Sequence, residues 1–112
     1  MEARAIARYV RIAPRKMCLV ADLVRGRKVN EALNILHFSP KRSSLVIEKT
    51  IRSALANLMD KEDVRDINVD NAIVTEIRVN EGPTWRRFKP RAMGRATRIR
   101  KRTSHLYVTL KV

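Results

Sequence analysis

The chain has one cysteine, three glycines and two histidines in 112 residues, and aromatic residues make up 4% of it. Cys18 has no partner for an internal disulfide, which suits a reducing compartment. No run of 18 apolar residues is present, so no segment can form a membrane-spanning helix. The opening residues, Met-Glu-Ala-Arg-Ala-Ile-Ala-Arg, lack the apolar stretch of a secretory signal, and Glu2 argues against an organellar transit peptide. A cytoplasmic location is therefore the expectation. The most informative absence is of acid. All 11 carboxylates lie at or before Glu81, and the last 31 residues have none. Those 31 residues carry ten of the 25 Lys and Arg, hence +10 of the net charge of +14. Such a density of one sign repels itself and favours a polyanion as partner.

Positions 86–102 hold nine of these cations: Arg86, Arg87, Lys89, Arg91, Arg95, Arg98, Arg100, Lys101 and Arg102. Pro83 and Pro90 flank Trp85 and Phe88, and Gly94 follows. A tail that only solvates charge needs neither prolines nor large aromatics. The cations can neutralise phosphates, and the two rings can stack on unpaired bases. The pattern points to a polyanion, and taken alone it separates RNA from DNA only weakly. Nucleic acid is the leading partner, with an anionic membrane second.

Elsewhere the chain reads as a small α+β body. Residues 3–12 suggest a strand, with Ile6, Val10 and Ile12 on the apolar parity. Arg8 shares that parity, which suggests an edge. Pro14 suits the first turn of a helix over 14–24, with Gly26 as its stop and Met17, Val20, Ala21 and Val24 as a buried stripe. Asn30 fits the N-cap of a second helix over 31–38. Ser39-Pro40 fits the start of a third helix over 40–59, with Ile47, Ile51, Ala54, Leu55 and Leu58 facing the core. A charged turn over 61–66 leads to a strand from about Ile67, broken at Asp70-Asn71. Ile73, Thr75, Ile77 and Val79 alternate, as do Leu106, Val108, Leu110 and Val112.

These two runs suggest an antiparallel pair enclosing the basic segment. With Ile77 opposite Tyr107 the turn centres on Ala92. The segment 81–104 then forms an extended basic β-hairpin arm that projects roughly 30–35 Å at about 3.3 Å per residue. The 112 residues form one domain.

A second basic group, Arg4, Arg8, Arg11, Arg15, Lys16, Arg25, Arg27 and Lys28, lies in the first third. Pro14-Arg15-Lys16 at a helix start combines amide donors with two cations, which suits a phosphate. Arg25 and Lys28 near the same helix's end oppose its negative pole. Helix capping and solubility account for the group about equally well, with Arg15, Lys16 and Lys28 leaning towards function; Arg15, Lys16, Arg25 and Lys28 are its candidate RNA contacts. His105, in a strand beside basic residues, either donates to phosphate or packs. His37 reads as structural and Cys18 as a small core residue. There is no glycine-rich phosphate loop, paired-carboxylate pattern or Cys/His metal spacing. Neither enzyme activity, cofactor, metal nor small-molecule substrate is expected.

Several stretches carry a resemblance. They are Ala13-Pro14-Arg15-Lys16, Leu23-Val24-Arg25-Gly26 with Lys28, Asn80-Glu81-Gly82-Pro83, Pro90-Arg91-Ala92-Met93-Gly94-Arg95-Ala96 and Lys101-Arg102-Thr103-Ser104-His105-Leu106. In order and spacing the chain resembles the ribosomal protein L22 (uL22) family of the large subunit, and its compact length resembles the bacterial form. The resemblance implies three helices packed on a small three-stranded antiparallel sheet, with a long protruding basic β-hairpin. It implies a structural, rRNA-binding role that joins separated rRNA segments and assists assembly. By position, Pro90, Arg91, Ala92, Met93, Gly94 and Arg95 become a tip lining the nascent-peptide exit tunnel, beside ribosomal protein L4 and passing nascent chains. Arg86, Arg87, Arg98, Arg100, Lys101 and Arg102 become the rRNA-gripping stem.

Two positions depart from the family pattern. Ala13 stands where a capping Ser is common, which weakens that helix start by about 1 kcal/mol. Trp85 replaces a smaller apolar residue. The alternative reading is a DNA-architectural protein with basic β-arms, but Pro90 sits between Lys89 and Arg91 and no dimer-forming apolar excess is evident. A membrane-active cationic domain is disfavoured because the arm lacks a continuous apolar face.

Overall fold

The body is organised around its last strand. In the computed structural model, which describes residues 2–60, 71–90 and 96–112, the elements run β1 (Glu2–Val10), α1 (Pro14–Val24), α2 (Val29–His37), α3 (Arg42–Met59), β2 (Ile73–Glu81), β3 (Trp85–Pro90), β4 (Ala96–Lys101) and β5 (Ser104–Lys111). β5 lies between β1 and β2, antiparallel to both, and β3 and β4 form a separate two-stranded ladder. The central place of β5 explains why Leu106, Val108 and Leu110 are all buried. The expected α+β fold is present: three helices, a three-stranded antiparallel sheet and a basic hairpin. Its radius of gyration is 17.4 Å and its long axis 68 Å. A compact chain of this length would have a radius of about 13 Å, so the hairpin extends the molecule.

The helices cover one face of the sheet. The stripe Met17, Val20, Ala21 and Val24 of α1 is buried as its spacing requires. In α3 Ile47, Ile51, Ala54 and Leu58 are buried and Leu55 is half-buried. Gly26, just past α1, has φ +80°, a conformation that side chains with a Cβ adopt at a cost. That turn lets the Gly26 N–H donate to Val74 O and the Val74 N–H donate to Arg27 O, both at 2.9 Å. The α1–α2 connection is thereby fastened to the start of β2.

Several expectations are corrected. On β1 the buried parity is Ala3 and Ala5, with Ala7 half-buried, while Ile6 is 47% exposed. The small side chains let α3 come close, and Asn57 Nδ2 of α3 donates to Arg4 O at 2.8 Å. Size, not hydrophobicity alone, selects the inner face, and Arg8 lies on the outer one. β1 ends at Val10, after a bulge between Ala7 and Val10 where Tyr9 takes φ 55°.

The second helix starts at Val29 rather than 31. Val29 is buried and its N–H is held by Ala72 O at 2.9 Å, so tertiary anchoring overrides the preference of Asn30 for a cap. The third helix starts at Arg42 rather than 40, with Lys41 at its N-cap; Ser39 Oγ accepts the Lys41 N–H at 3.4 Å and so shapes the preceding turn.

The strand pairing also shifts. Ile73 opposes Lys111, the register set by Ile77 opposite Tyr107. A bulge between Val74 and Glu76 then moves Ile77 opposite Val108 and brings Arg78 opposite Tyr107. This is why Val74 and Ile77 are buried while Ile73 and Thr75 are exposed. The arm ladder, from Trp85 opposite Lys101 to Pro90 opposite Ala96, is symmetric about position 93 instead of 92. The expected charged turn over 61–66, the strand start at Ile67, Asp70 and the tip positions Arg91, Ala92, Met93, Gly94 and Arg95 lie outside the described residues.

Candidate nucleic-acid interface

The root of the arm is built by close backbone approach. Glu81 opposes Ser104, and the Gly82 N–H donates to Thr103 O at 2.9 Å. Thr103 Oγ1 donates to Pro83 O at 2.6 Å, and Ser104 Oγ donates to Ile12 O at 2.6 Å. Thr103 and Ser104 are fully buried. A Cβ on Gly82 would stand 2.5 Å from Thr103 Oγ1, so only glycine fits. These bonds tie both strands of the arm to each other and to the β1–α1 turn.

Beyond the root, the ladder sets Arg86 opposite Arg100, Phe88 opposite Arg98 and Trp85 opposite Lys101. Arg87 opposes Ile99 and Lys89 opposes Thr97. Like charges at directly opposing positions are destabilising in an isolated ladder. An anionic partner removes that penalty. The side chains of 85–90 and 96–101, the expected RNA-gripping groups among them, lie outside what is described. Arg102, next to the root, is exposed.

His105 is half-buried and committed to the fold. Its Nδ1 accepts the Tyr9 N–H at 3.1 Å, and the two rings meet edge to face with centroids 5.0 Å apart. That bond leaves Nε2 as the ring's donor.

The N-terminal basic residues divide into two groups. Arg15 and Lys16 are exposed in the first turn of α1, close to the arm root through the Ser104–Ile12 bond. Arg25 and Lys28 lie past the other end of the 11-residue α1, roughly 15 Å away at 1.5 Å per residue. Arg25 is engaged within the protein, donating to Asp22 and, at 2.8 Å, to Ile77 O. Lys28 is exposed at the N-cap of α2, bridged to Ile73 at the end of β2 away from the arm. The fold thus gathers Arg15, Lys16 and Arg102 near one end and places Arg25 and Lys28 at another.

Lys41 and Arg42 are basic residues missed by the sequence reading. They meet the start of α1 across a cleft of about 380 Å³ lined by Arg11, Ile12, Ala13, Lys16, Leu19, Lys41, Arg42 and Ser43. The signal was available: Pro14-Arg15-Lys16 and Pro40-Lys41-Arg42 share one Pro-basic-basic pattern. On the sheet face away from the helices, the Arg78 guanidinium stacks 4.7 Å from the centre of the Tyr107 ring. Cys18 is half-buried rather than in the core. His37 is exposed, with Nδ1 3.5 Å from Glu48 Oε1. Among the described residues no group of three or more His, Cys, Asp or Glu could hold a metal ion.

Comparison with known proteins identifies the family. Residues 5–111 match the family described as ribosomal protein L22p/L17e. The chain is similar to the large ribosomal subunit protein uL22 of Maridesulfovibrio salexigens, with 54% identity over 111 residues, 99% of this chain and 98% of the relative. A match over nearly the whole length of both chains admits one assignment: the protein belongs to the ribosomal protein L22p/L17e family.

Proposed function

We propose that the chain is a structural constituent of the large ribosomal subunit whose arm binds and cross-links separated segments of large-subunit rRNA. Family membership makes it a ribosomal and hence rRNA-associated protein, not a member of an enzyme family. The single observation that carries the finer reading is the arm itself. Ten cations without one carboxylate in the last 31 residues, most of them on a two-stranded ladder fastened at its root, form a polyanion probe. In this reading the chain is one domain with the arm over 81–104. Arg86, Arg87, Arg98, Arg100, Lys101 and Arg102 grip phosphates that would otherwise repel one another as RNA helices crowd together during assembly. The tip, positions 91–95, lines the nascent-peptide exit tunnel beside ribosomal protein L4. Arg15, Lys16 and Lys28 extend the contact over the body. Membership of a ribosomal family favours folded rRNA over bent duplex DNA as the partner.

The test is a salt titration with a large-subunit rRNA fragment. Replacing Arg86, Arg87, Arg98 and Arg100 together by Ala should lower the slope of log K against log salt by about three to four units, if each meets one phosphate. An unchanged slope refutes the arm as an RNA contact. For the tunnel role, a photoreactive group at position 92 should capture nascent chains in translating ribosomes. Absence of that product, with the arm still bound to rRNA, refutes the tip assignment alone.

A further inference from the structure

Deepening the rRNA reading, on which it rests, we propose that the cleft between the first turns of α1 and α3 is a second binding site for RNA-backbone phosphate, separate from the arm. Four of its eight lining residues are cationic, Arg11, Lys16, Lys41 and Arg42, and none is acidic. Two helix starts converge there, of 11 and 18 residues. Neither has a side-chain cap, and neither has an acid in its first turn. The first amides of a helix lack intrahelical acceptors, and its positive pole attracts anions. Lys41 at an N-cap, followed by Arg42, is unfavourable beside that pole until an anion arrives between them.

An independent observation points to the same ligand. Ser43 lines the cleft, is only 4% exposed, and its hydroxyl has no hydrogen-bond partner among the described residues. Ser44 beside it is 1% exposed, and its Oγ, unlike that of Ser43, is sealed from solvent without a partner. The Ser43 hydroxyl stays accessible from the cleft it lines, and an anionic oxygen seated there is an acceptor it can donate to. The rest of the wall, Ile12, Ala13 and Leu19, offers an apolar surface for the sugar. Because Ser104 Oγ bonds to Ile12 O, the cleft adjoins the arm root. One RNA strand held at the root can continue into it.

The experiment uses the full chain and a large-subunit rRNA fragment in a salt series. The triple variant Lys16→Gln, Lys41→Gln, Arg42→Gln should lower the salt slope by about two to three units. Lys41→Asp separates binding from folding, because Asp is a good N-cap. It should raise the melting temperature and still weaken rRNA binding at least tenfold. A cleft that serves folding alone predicts the higher melting temperature with unchanged affinity, which overturns the proposal. The four-Arg arm variant is measured in parallel. Loss of slope there, with both cleft variants binding like the parent, overturns the cleft and leaves the rRNA reading standing. Unchanged slopes in every variant overturn both. Cleft variants that keep rRNA affinity but lose binding to polyglutamate or to anionic vesicles assign the cleft to another anion and overturn the proposal.

Discussion

Gly82→Ala is the sharpest test of how the arm is fixed. The new Cβ would stand 2.5 Å from Thr103 Oγ1 and 3.3 Å from the Thr103 carbonyl carbon and oxygen. Thr103 cannot swing aside freely: it is fully buried and its hydroxyl donates to Pro83 O. The substitution therefore overpacks the site, at about 1–3 kcal/mol, and breaks a hydrogen bond worth about 1 kcal/mol. A total of about 3 kcal/mol corresponds to a fall in melting temperature of very roughly 10 °C for a domain of this size.

Thr103→Ala alone should cost about 1–2 kcal/mol, from the lost bond to Pro83 O. The two changes share one cause. Removing Oγ1 removes the 2.5 Å contact, leaving 3.3 Å contacts that a shift of a few tenths of an ångström relieves. The double variant should thus be no less stable than Gly82→Ala, with a coupling of about 1–2 kcal/mol in the favourable direction. Urea unfolding followed by circular dichroism measures all four corners of the cycle. Additivity within about 0.5 kcal/mol would refute the close approach of Gly82 to Thr103 as the feature that holds the root.

Three further outcomes are expected. Ala5→Leu, on the face of β1 covered by α3, should destabilise by about 1–3 kcal/mol through overpacking, whereas Ile6→Ala on the exposed face should cost less; equal effects in denaturant unfolding would contradict the corrected parity of β1. Gly26→Ala should cost about 1 kcal/mol from its positive φ alone, since a Cβ there meets nothing within 4 Å, and a neutral result would show that the turn relaxes. In the free protein at low salt, amides of β3 and β4 should exchange faster than those of β5, because Arg86 opposes Arg100 and the sequence has no carboxylate after Glu81. An rRNA fragment should slow them, and protection equal to β5 without RNA would count against the electrostatic account.

Legibility followed the length scale of the physics. The stripes of α1 and α3 were readable because helix periodicity and burial depend on neighbours three and four residues apart. Gly26 was readable as a stop because a positive φ is a local demand. The starts of α2 and α3 were misplaced by two residues each: Val29 is pinned by Ala72, and Lys41 rather than Ser39 takes the cap position. The β1 parity misled because Ile6 outweighs Ala5 on any hydrophobicity scale, while the approach of α3 admits only the smaller side chain. Register was correct at Ile73 and slipped at the bulge after Val74, whose position depends on pairing with Thr109. Arg25, a candidate RNA contact, is instead held by the fold, because the carbonyl it donates to belongs to Ile77, 52 residues away.

The amino-acid sequence by itself determined the charge asymmetry, the polyanionic partner, the helical stripes and the family, since each is carried by composition or by spacing along the chain. Only the tertiary structure decided which face of β1 is inner, where the bulges fall, and that Gly82 must pass against Thr103. It also brought Lys41 and Arg42 to the start of α1. Those outcomes depend on distances between residues far apart in the chain, which packing settles and local preference cannot.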